Sequence, residues 1–487
     1  MSFTSVSFLV FFFVFFLLYW FLFSRSVKGQ NILLLIGCYF FYAWADWRML
    51  PVMISVSILN YFLAIWIEKS SSVTFKNRLV MLGLIQGVGG LFLYKYFDFF
   101  VTSLIQLFSS MHVHLPLHTL GWLAPLGISF FTFKTISYIL DVSKGKTNAC
   151  KNWVDFFVYI SFFPTIMAGP IDRARTFLPQ LEKKRNFKYD LAAEGMRQIL
   201  WGIFKKSVIA DNCTVVTNPI FANYTNLNAS ALLVGVFLYA FQIYTDFSGY
   251  SDMAIGISKL LGLDITKNFR YPFFSQNIAD FWRRWHMSLT NWLTEYVFTP
   301  LSISFRDWGA WGLILAIIVN FVIIGMWHGA NWTYVLFGFL NGCYYIPLIL
   351  RGKLNKKYEI PIKRKLPTFV EFTRIFSTFL LVAFTWIIFR LDTISSAFLF
   401  YKKIITGKIF DGKSIAFMDI DLRLTLNLFL FIIFMILLEW FNRNKEFAIS
   451  QASVKSKIIS RWSVYVILFL AIIIFRGVEQ DFIYVKF

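Results

Sequence analysis

Residues 310–329 read AWGLILAIIVNFVIIGMWHG, an apolar run that ends at a single histidine, His328. A run of this length can cross the hydrocarbon core of a membrane as one α-helix. An ionisable side chain at such depth is costly and usually faces a protein cavity. Imidazole is also the side chain best suited to proton transfer near neutral pH. The stretch therefore predicts a membrane protein in which His328 serves either a reaction or the packing of the helix.

The composition supports a polytopic all-α membrane protein. Hydrophobic residues make up 58% of the 487 residues, charged residues only 15%, and the mean hydropathy is +0.63. Soluble domains carry about 25% charged residues. The apolar runs are helix-length, which excludes an outer-membrane β-barrel. Lys and Arg retained on cytoplasmic loops explain the formal charge of +21 better than nucleic-acid binding does.

About eleven apolar segments are long enough to cross or nearly cross a membrane, and the shorter ones are expected to be tilted or re-entrant. They lie at about 8–23, 31–45, 50–66, 79–96, 153–169, 229–247, 310–327, 331–350, 371–389, 424–441 and 463–475. The first is expected to be a retained helix with an outside N-terminus, because basic residues follow it and none precedes it. Basic clusters at 173–188, 353–365 and 443–461 predict cytoplasmic loops.

Between Pro116 and Pro300, proline, glycine and charge interrupt the apolar runs. Irregular backbone is tolerated at membrane depth only where it is buried in protein or lines a wet cavity. The chain is therefore expected to form one membrane-embedded domain, residues 1–487, around a central pocket or tunnel. Its catalytic core is expected at about 116–342, with C-terminal helices at about 343–487. The four cysteines are far apart and predict neither a disulfide framework nor a metal site.

Residues 281–296 read FWRRWHMSLTNWLTEY and have the pattern of one amphipathic helix. Trp282, Trp285 and Trp292 share one face, which predicts an interfacial helix with its tryptophans at headgroup level. His286 lies at the edge of this face. It is either a structural residue of an interfacial anchor or a functional residue. In the second case, His286, Arg283 and Arg284 would meet an anionic acyl donor or orient a catalytic group.

Two further patterns have both a structural and a functional interpretation. Gln242 and Asp246 are one helical turn apart, so both can project into one cavity, although a structural ion pair would also explain the carboxylate. Gly325 and Gly329 flank His328 with the spacing typical of close helix packing, and Gly338 and Gly342 repeat that spacing. Close packing is compatible with a catalytic histidine, because thin helices leave room for substrate.

Several of these motifs together resemble the membrane-bound O-acyltransferase family. They are FWRRWHMSL at 281–289, WHG at 327–329, YFFYAW at 39–44, GISFFTF at 127–133, MAGPI at 167–171 and residues 242–252. The similarity extends over about residues 5–342 and is closest to the bacterial branch of alginate, peptidoglycan and teichoic acid acylation systems. It implies a helical bundle around a tunnel with His328 at its centre. It further implies His286 as a secondary catalytic candidate and a substrate-lining role for the region of Gln242 and Asp246.

The resemblance and the residues together predict an O-acetyltransferase of the bacterial inner membrane. His328 would act as the base that activates a hydroxyl, and Trp327, Asn331 or His286 would stabilise the oxyanion. No cofactor is expected to be bound permanently. Acetyl-CoA is the expected donor, and an extracytoplasmic polysaccharide, alginate-like or peptidoglycan, is the final acceptor. No G-x-S-x-G elbow is present, so no serine triad is expected within this chain. The family resemblance further implies a separate periplasmic SGNH-type acetyltransferase as the partner that provides the hydroxyl and passes the acetyl group to the sugar.

Two alternatives remain open at this point. One is D-alanyl transfer of the teichoic acid type, which uses the same family scaffold. The other is a polysaccharide flippase or transporter, which would also place polar groups within the membrane. Transporters often contain internal repeats, and no repeat is visible in this sequence.

Overall fold

The computed structural model describes residues 1–356, 358, 360–361, 363–409, 422–450 and 458–482. Within these ranges the secondary structure is helical, with no β-strand, so the all-α prediction is confirmed. Contacts divide the chain into two compact units. Unit 1 comprises residues 1–192 and 257–266, and unit 2 comprises residues 193–256 and 267–487.

Unit 1 is built mainly from apolar helices, and residues 111–127 form a long connection between two of them. They are α1 Val6–Leu17, α2 Val27–Asp46, α3 Leu50–Lys69, α4 Val73–Leu91, α5 Phe97–Ser110, α6 Ile128–Ser143, α7 Trp153–Ser161, α8 Phe163–Ile166 and α9 Ala174–Leu181. Local sequence signals set several boundaries, such as the Ser26 and Ser72 side chains that cap α2 and α4. Gly127 adopts a left-handed conformation just before α6, where a Cβ would lie 2.2 Å from the Ile166 carbonyl oxygen. Only glycine fits this position.

Unit 2 contains both long and short helices, and the longest, α12, has 32 residues. The first residues of α10 and the last residues of α12 are assigned to unit 1. The helices are α10 Tyr189–Ile203, α11 Asp211–Ala222, α12 Ala229–Leu260, α13 Ile278–Trp282, α14 Met287–Leu293, α15 Thr299–Ser304, α16 Gly309–His328, α17 Trp332–Cys343, α18 Ile346–Leu350, α19 Phe369–Arg390, α20 Ile394–Thr406, α21 Leu422–Phe441 and α22 Ile458–Phe475. A π-helical segment, Phe204–Ala210, joins α10 to α11.

Seven helical runs of the described chain are long and apolar enough to cross a membrane, by length and composition. The first of them, Val27–Lys69, contains both α2 and α3, and three shorter apolar helices accompany the seven. The polytopic architecture is therefore confirmed, whereas the count of about eleven crossings stays a prediction.

The α16–α17 hairpin packs through its glycines. A Cβ at Gly325 would lie 2.1 Å from the Tyr334 carbonyl oxygen, and one at Gly338 would lie 2.3 Å from the Phe321 carbonyl oxygen. Both distances are far below a van der Waals contact, so the two backbones touch directly at these positions. The small-residue spacing thus marks close helix packing, and this packing fixes the turn that follows His328.

Charged residues lie in the interior of unit 2, where α12 packs against α10 and the π-helical segment. A Cβ at Gly249 would lie 2.8 Å from the Gly202 carbonyl oxygen, so these helices are also in backbone contact. Five ionisable residues near this contact are at most 5% exposed: Lys205, Lys206, Asp211, Asp246 and Glu439. Buried charges of this kind need partners, and their partners define the candidate site.

Candidate functional site

His328 is the last residue of α16 and is 4% exposed. Its ring packs edge-on against Phe389, with centroids 5.0 Å apart, and against Trp327 at 4.9 Å. The chain turns directly afterwards, because Gly329 is extended and Asn331 caps α17. The histidine therefore lies at one end of the α16–α17 hairpin, and not in the middle of a helix.

The prediction of one continuous helix over residues 281–296 was wrong. Helix α13 ends at Trp282, α14 begins at Met287, and His286 between them has a left-handed φ of 44°. A distant segment causes the break, because Asn268 competes for the helix's hydrogen bonds. Its carbonyl accepts from the Met287 amide at 2.8 Å, and its side-chain oxygen accepts from the Ser288 hydroxyl at 2.6 Å.

The tryptophans of this region are buried in the protein, so the prediction of an interfacial face at headgroup level was also wrong. Trp282, Trp285 and Trp292 are 2%, 2% and 4% exposed. The Trp282 indole donates to the Asn341 side-chain oxygen at 3.0 Å, and the Trp285 ring lies 4.9 Å from that of Trp386. Partners from α17 and α19 take the place that lipid was expected to occupy.

The break carries His286 into the interior, where it is 1% exposed. Its ring is perpendicular to that of Phe247 at 4.6 Å and lies 5.5 Å from that of Trp327. Burial lowers the pKa of His286 to about 3, so its imidazole is neutral at physiological pH. Trp327 also contacts His328, so one indole lies against both histidines.

A cavity of about 270 Å³ lies next to this cluster, and we name it the Asp246 cavity. Its lining residues are Lys206, Thr214, Asn218, Tyr239, Gln242, Asp246, Asn331, Tyr334, Phe389, Arg390, Leu391, Asp392, Gln480 and Asp481. Gln242 and Asp246 both line it, as their spacing of one turn predicted. His328 is not among the lining residues, but Phe389 both lines the cavity and packs on the His328 ring.

An ion cluster holds Asp246 in this wall. The Lys206 ammonium lies 2.8 Å from an oxygen of Asp246 and 2.8 Å from an oxygen of Asp211, and donates to the Gln480 carbonyl at 3.0 Å. Burial raises the pKa of Asp211 to about 6, although Lys206 opposes the shift. Burial alone would lower the pKa of Lys206, but Asp246 and Asp211 reverse the effect and raise it. Asp246 thus has both a structural ion pair and a place in the cavity wall.

The other expected lining residues are fixed by hydrogen bonds. Gln242 accepts from the Thr217 hydroxyl at 2.6 Å and donates to the Thr214 hydroxyl at 2.8 Å. The Asn331 side chain accepts from the Thr333 amide at 3.0 Å and donates to the Asp392 carbonyl at 2.8 Å. These amides are preorganised by α11 and by the start of α17.

The two arginines of the 281–296 motif lie elsewhere. Arg283 is exposed, and Arg284 is paired with Asp280 at 3.1 Å. Neither lines the Asp246 cavity. Among the described residues, no group of three or more His, Cys, Asp or Glu side chains could hold a metal ion.

A second buried polar group surrounds a much smaller cavity of about 20 Å³, which has room for roughly one water. Here the Lys205 ammonium is paired with Asp252 at 2.5 Å and bonded to the Ser248 hydroxyl at 2.9 Å. The Tyr244 hydroxyl donates to the Glu439 carboxylate at 2.9 Å. Because Ser248 and Asp252 follow Asp246 on α12, polar contacts continue along this helix beyond the Asp246 cavity.

Sequence reasoning missed the segment 476–482, which follows α22. The Gly477 amide donates to the Ser207 carbonyl at 2.9 Å, and the Phe482 ring lies 5.8 Å from Phe247 and 5.0 Å from Tyr250. Gln480 and Asp481 therefore reach the Asp246 cavity from a region in which no motif was recognised. The sequence offered one signal, because polar residues directly follow the apolar helix α22. The same pattern is equally typical of an exposed loop.

Comparisons with known proteins agree with this architecture. The model of the membrane-bound O-acyltransferase family matches residues 150–381. A probable alginate O-acetylase of Pseudomonas syringae pv. tomato is 35% identical, over 76% of this chain and 69% of its own length. A peptidoglycan O-acetyltransferase of Helicobacter pylori is 31% identical, over 77% of this chain and 73% of its own. A teichoic acid D-alanyltransferase of Bacillus subtilis is 31% identical, over 53% of this chain and 67% of its own.

Proposed function

Because the chain belongs to the membrane-bound O-acyltransferase family, we propose that it transfers acetyl groups across the bacterial inner membrane for O-acetylation of an extracytoplasmic polysaccharide. An alginate-like polymer or peptidoglycan is the proposed final acceptor, because the relatives are named for acetylation of these two polymers. The observation that carries the proposal is the cluster of His286, Trp327 and His328 beside the polar Asp246 cavity.

The proposed reaction moves one proton and one acyl group. His328 takes the proton of the acceptor hydroxyl as its oxygen attacks the thioester carbonyl carbon. The tetrahedral intermediate then collapses, the carbon–sulfur bond breaks, and the imidazolium returns the proton to the leaving thiolate. Atoms and charge balance in this step, and no atom changes its oxidation state.

The surroundings of His328 suit this role. Edge-on rings on two sides restrict its orientation, which reduces the entropy lost on reaching a reactive geometry. Trp327, His286 and Asn331 are the proposed oxyanion donors. Asn331 donates one of its two amide hydrogens to the Asp392 carbonyl, so the other is the one assigned to this role. His286 stays neutral and is proposed to act mainly by positioning Trp327.

The orientation follows from the positive-inside rule. If the basic loop at 353–365 is cytoplasmic, α17–α18 runs inward, and the end of α16 that carries His328 faces outward. Arg390, at the end of α19, then lies on the outer side as well. The Asp246 cavity is therefore proposed as the acceptor side. A periplasmic SGNH-type acetyltransferase is the proposed immediate acceptor, because its serine would supply the hydroxyl.

Acetyl-CoA is the proposed donor, entering from the cytoplasm. Arg283 and Arg284 remain the proposed contacts for its phosphates. Arg283 is the stronger candidate, because it is exposed, whereas Arg284 is paired with Asp280.

The test uses purified protein reconstituted in vesicles with acetyl-CoA labelled in its acetyl group. We expect label to reach an SGNH-type acceptor, or slow donor hydrolysis when no acceptor is present. If neither acetyl-CoA nor an acyl carrier protein delivers label, while lipid-linked sugar crosses the vesicles, the transporter alternative is correct. If only a D-alanyl carrier protein delivers label, the D-alanyl alternative is correct.

A further inference from the structure

Unit 1 contains a larger cavity, and none of its lining residues has a role in the proposed acyl transfer. Its volume is about 670 Å³, and it lies among the first turn of α2, the loop 147–152, the first turn of α7 and the end of α9. All of its lining residues belong to unit 1. We name it the Asp155 cavity, after the carboxylate in its floor.

A network of hydrogen-bonded, mostly buried polar groups forms the floor of the cavity. The Asp155 carboxylate accepts from the side-chain amides of Asn31 at 2.6 Å and Asn152 at 2.9 Å. Arg185 in turn donates to the side-chain oxygen of Asn31 and, at 3.2 Å, to that of Gln30. Asp155 and Arg185 carry opposite charges, so this network adds no net charge beneath a ligand.

The exposed charged residues at the edge of the cavity, which we call the rim, determine the charge of a ligand that can bind there. Lys28, Lys151 and Glu182 are exposed at the edge of the cavity. Within the described parts of the chain, none of these three side chains has a hydrogen-bond or ion-pair partner. The first turn of α2 also lines the cavity and carries no acidic residue, so its positive helix end favours an anion. The rim therefore carries two cationic side chains, Lys28 and Lys151, and one carboxylate, Glu182.

The position of the cavity indicates where a ligand comes from. A candidate membrane span begins at Val27, so the rim lies at the end of a spanning helix. Arg25, Lys28 and the basic cluster 173–188 predict the cytoplasmic side. Trp153 is 53% exposed beside the cavity, as expected for an aromatic residue at headgroup level. Val27, which is half-buried, provides apolar surface at the same edge.

We propose that the Asp155 cavity binds the headgroup of a zwitterionic phospholipid of the cytoplasmic leaflet. Lys28 and Lys151 contact the phosphate, and Glu182 contacts a headgroup ammonium, as in a phosphoethanolamine. The acyl chains lie along the apolar edge and the lipid-facing helices. A soluble phosphate compound shares the anionic chemistry, but it lacks chains for that edge.

The test measures lipid binding by the purified full-length protein, with native mass spectrometry and thermal shift as readouts. The probes are phosphatidylethanolamine, phosphatidylglycerol, soluble glycerophosphoethanolamine and inorganic phosphate. A lysine near a membrane surface contributes roughly fivefold to the binding of a lipid phosphate. Lys28→Gln with Lys151→Gln should therefore weaken phosphatidylethanolamine binding about 25-fold. Glu182→Gln should abolish the preference for phosphatidylethanolamine over phosphatidylglycerol.

The matched control replaces two exposed lysines outside the lining, Lys144→Gln with Lys183→Gln, and should change lipid binding less than about twofold. An equal loss of lipid binding in the control and test variants would show that general surface charge causes the effect, and it would overturn the proposal. Binding of inorganic phosphate or glycerophosphoethanolamine as tight as that of the lipid would overturn the lipid assignment. Unchanged binding in the Lys28 and Lys151 variant would refute the site itself. None of these readouts depends on acyltransferase activity.

Discussion

Lys206→Met is expected to destabilise unit 2 strongly, because Lys206 is the cation between two buried carboxylates. Its ammonium lies 2.8 Å from both Asp211 and Asp246 and also binds the Gln480 carbonyl. Removing one partner from a buried ion pair costs about 3–5 kcal/mol. Loss of the contact to Gln480 adds about 1 kcal/mol. Together these losses approach the whole stability of a typical domain.

The deficit should depend on pH. The folded-state pKa of Asp211 is already raised above its unfolded value, to about 6, and it should rise further without Lys206. A carboxyl with a raised folded pKa binds more protons when folded, so stability falls as pH rises from its unfolded pKa towards its folded pKa. Lys206→Met should therefore lose more stability at about pH 8 than at about pH 5.

A thiol-reactive dye can follow this unfolding, because Cys213 of unit 2 is buried in the folded protein. The matched control is the neutral cluster in which Lys206→Met is combined with Asp211→Asn and Asp246→Asn. It should recover much of the lost stability, since no unpaired charge remains. A loss below about 1 kcal/mol in Lys206→Met, or no recovery in the neutral cluster, would refute the reasoning.

Three further predictions concern other parts of the chain. His286 is buried with a pKa of about 3, so the folded protein loses about 1.4 kcal/mol of stability per pH unit as the pH falls below the unfolded pKa of histidine. His286→Asn should make stability less dependent on pH in this acidic range, as measured by denaturation at several pH values. An unchanged slope of stability against pH would contradict the buried, neutral state of His286. Gly325→Ala places a Cβ 2.1 Å from a backbone oxygen of α17 and should cost at least 1–3 kcal/mol, whereas Gly89→Ala on α4, with nothing within 4 Å, should not destabilise, as thermal unfolding can show. Arg283→Gln should raise the apparent donor KM more than Arg284→Gln, because Arg284 is already paired with Asp280, and the reverse order in initial-rate measurements would count against donor binding at Arg283.

The sequence was informative where local chemistry decides the structure. Apolar length predicted the helical membrane architecture, and the spacing of Gln242 and Asp246 placed both on one wall. The glycines around His328 predicted backbone contact between neighbouring helices. This contact is confirmed, because a Cβ at Gly325 would lie only 2.1 Å from the Tyr334 carbonyl oxygen. Each of these features depends on helical periodicity and on residues of one segment or of adjacent segments.

Features that depend on distant residues were not predicted. The break before α14 arises because Asn268 hydrogen-bonds to Met287 and Ser288, and no pattern within 281–296 encodes this competition. Likewise, the contact of Lys206 with Asp246 depends on how α12 packs against the π-helical segment. The approach of residues 476–482 to the Asp246 cavity also joins distant parts of the chain. Periodicity assigns a face to each residue but not the partner of that face.

The most direct measurement of the central claim is acetyl transfer by His328→Ala in reconstituted vesicles, with His328→Gln as the variant of similar size. Both should retain the thermal unfolding profile of the wild type. We predict that both variants reduce transfer from labelled acetyl-CoA by about 10²-fold to 10⁴-fold, which is the usual contribution of a general base. Wild-type transfer by either variant in a folded, membrane-inserted state would contradict the account and assign His328 to helix packing.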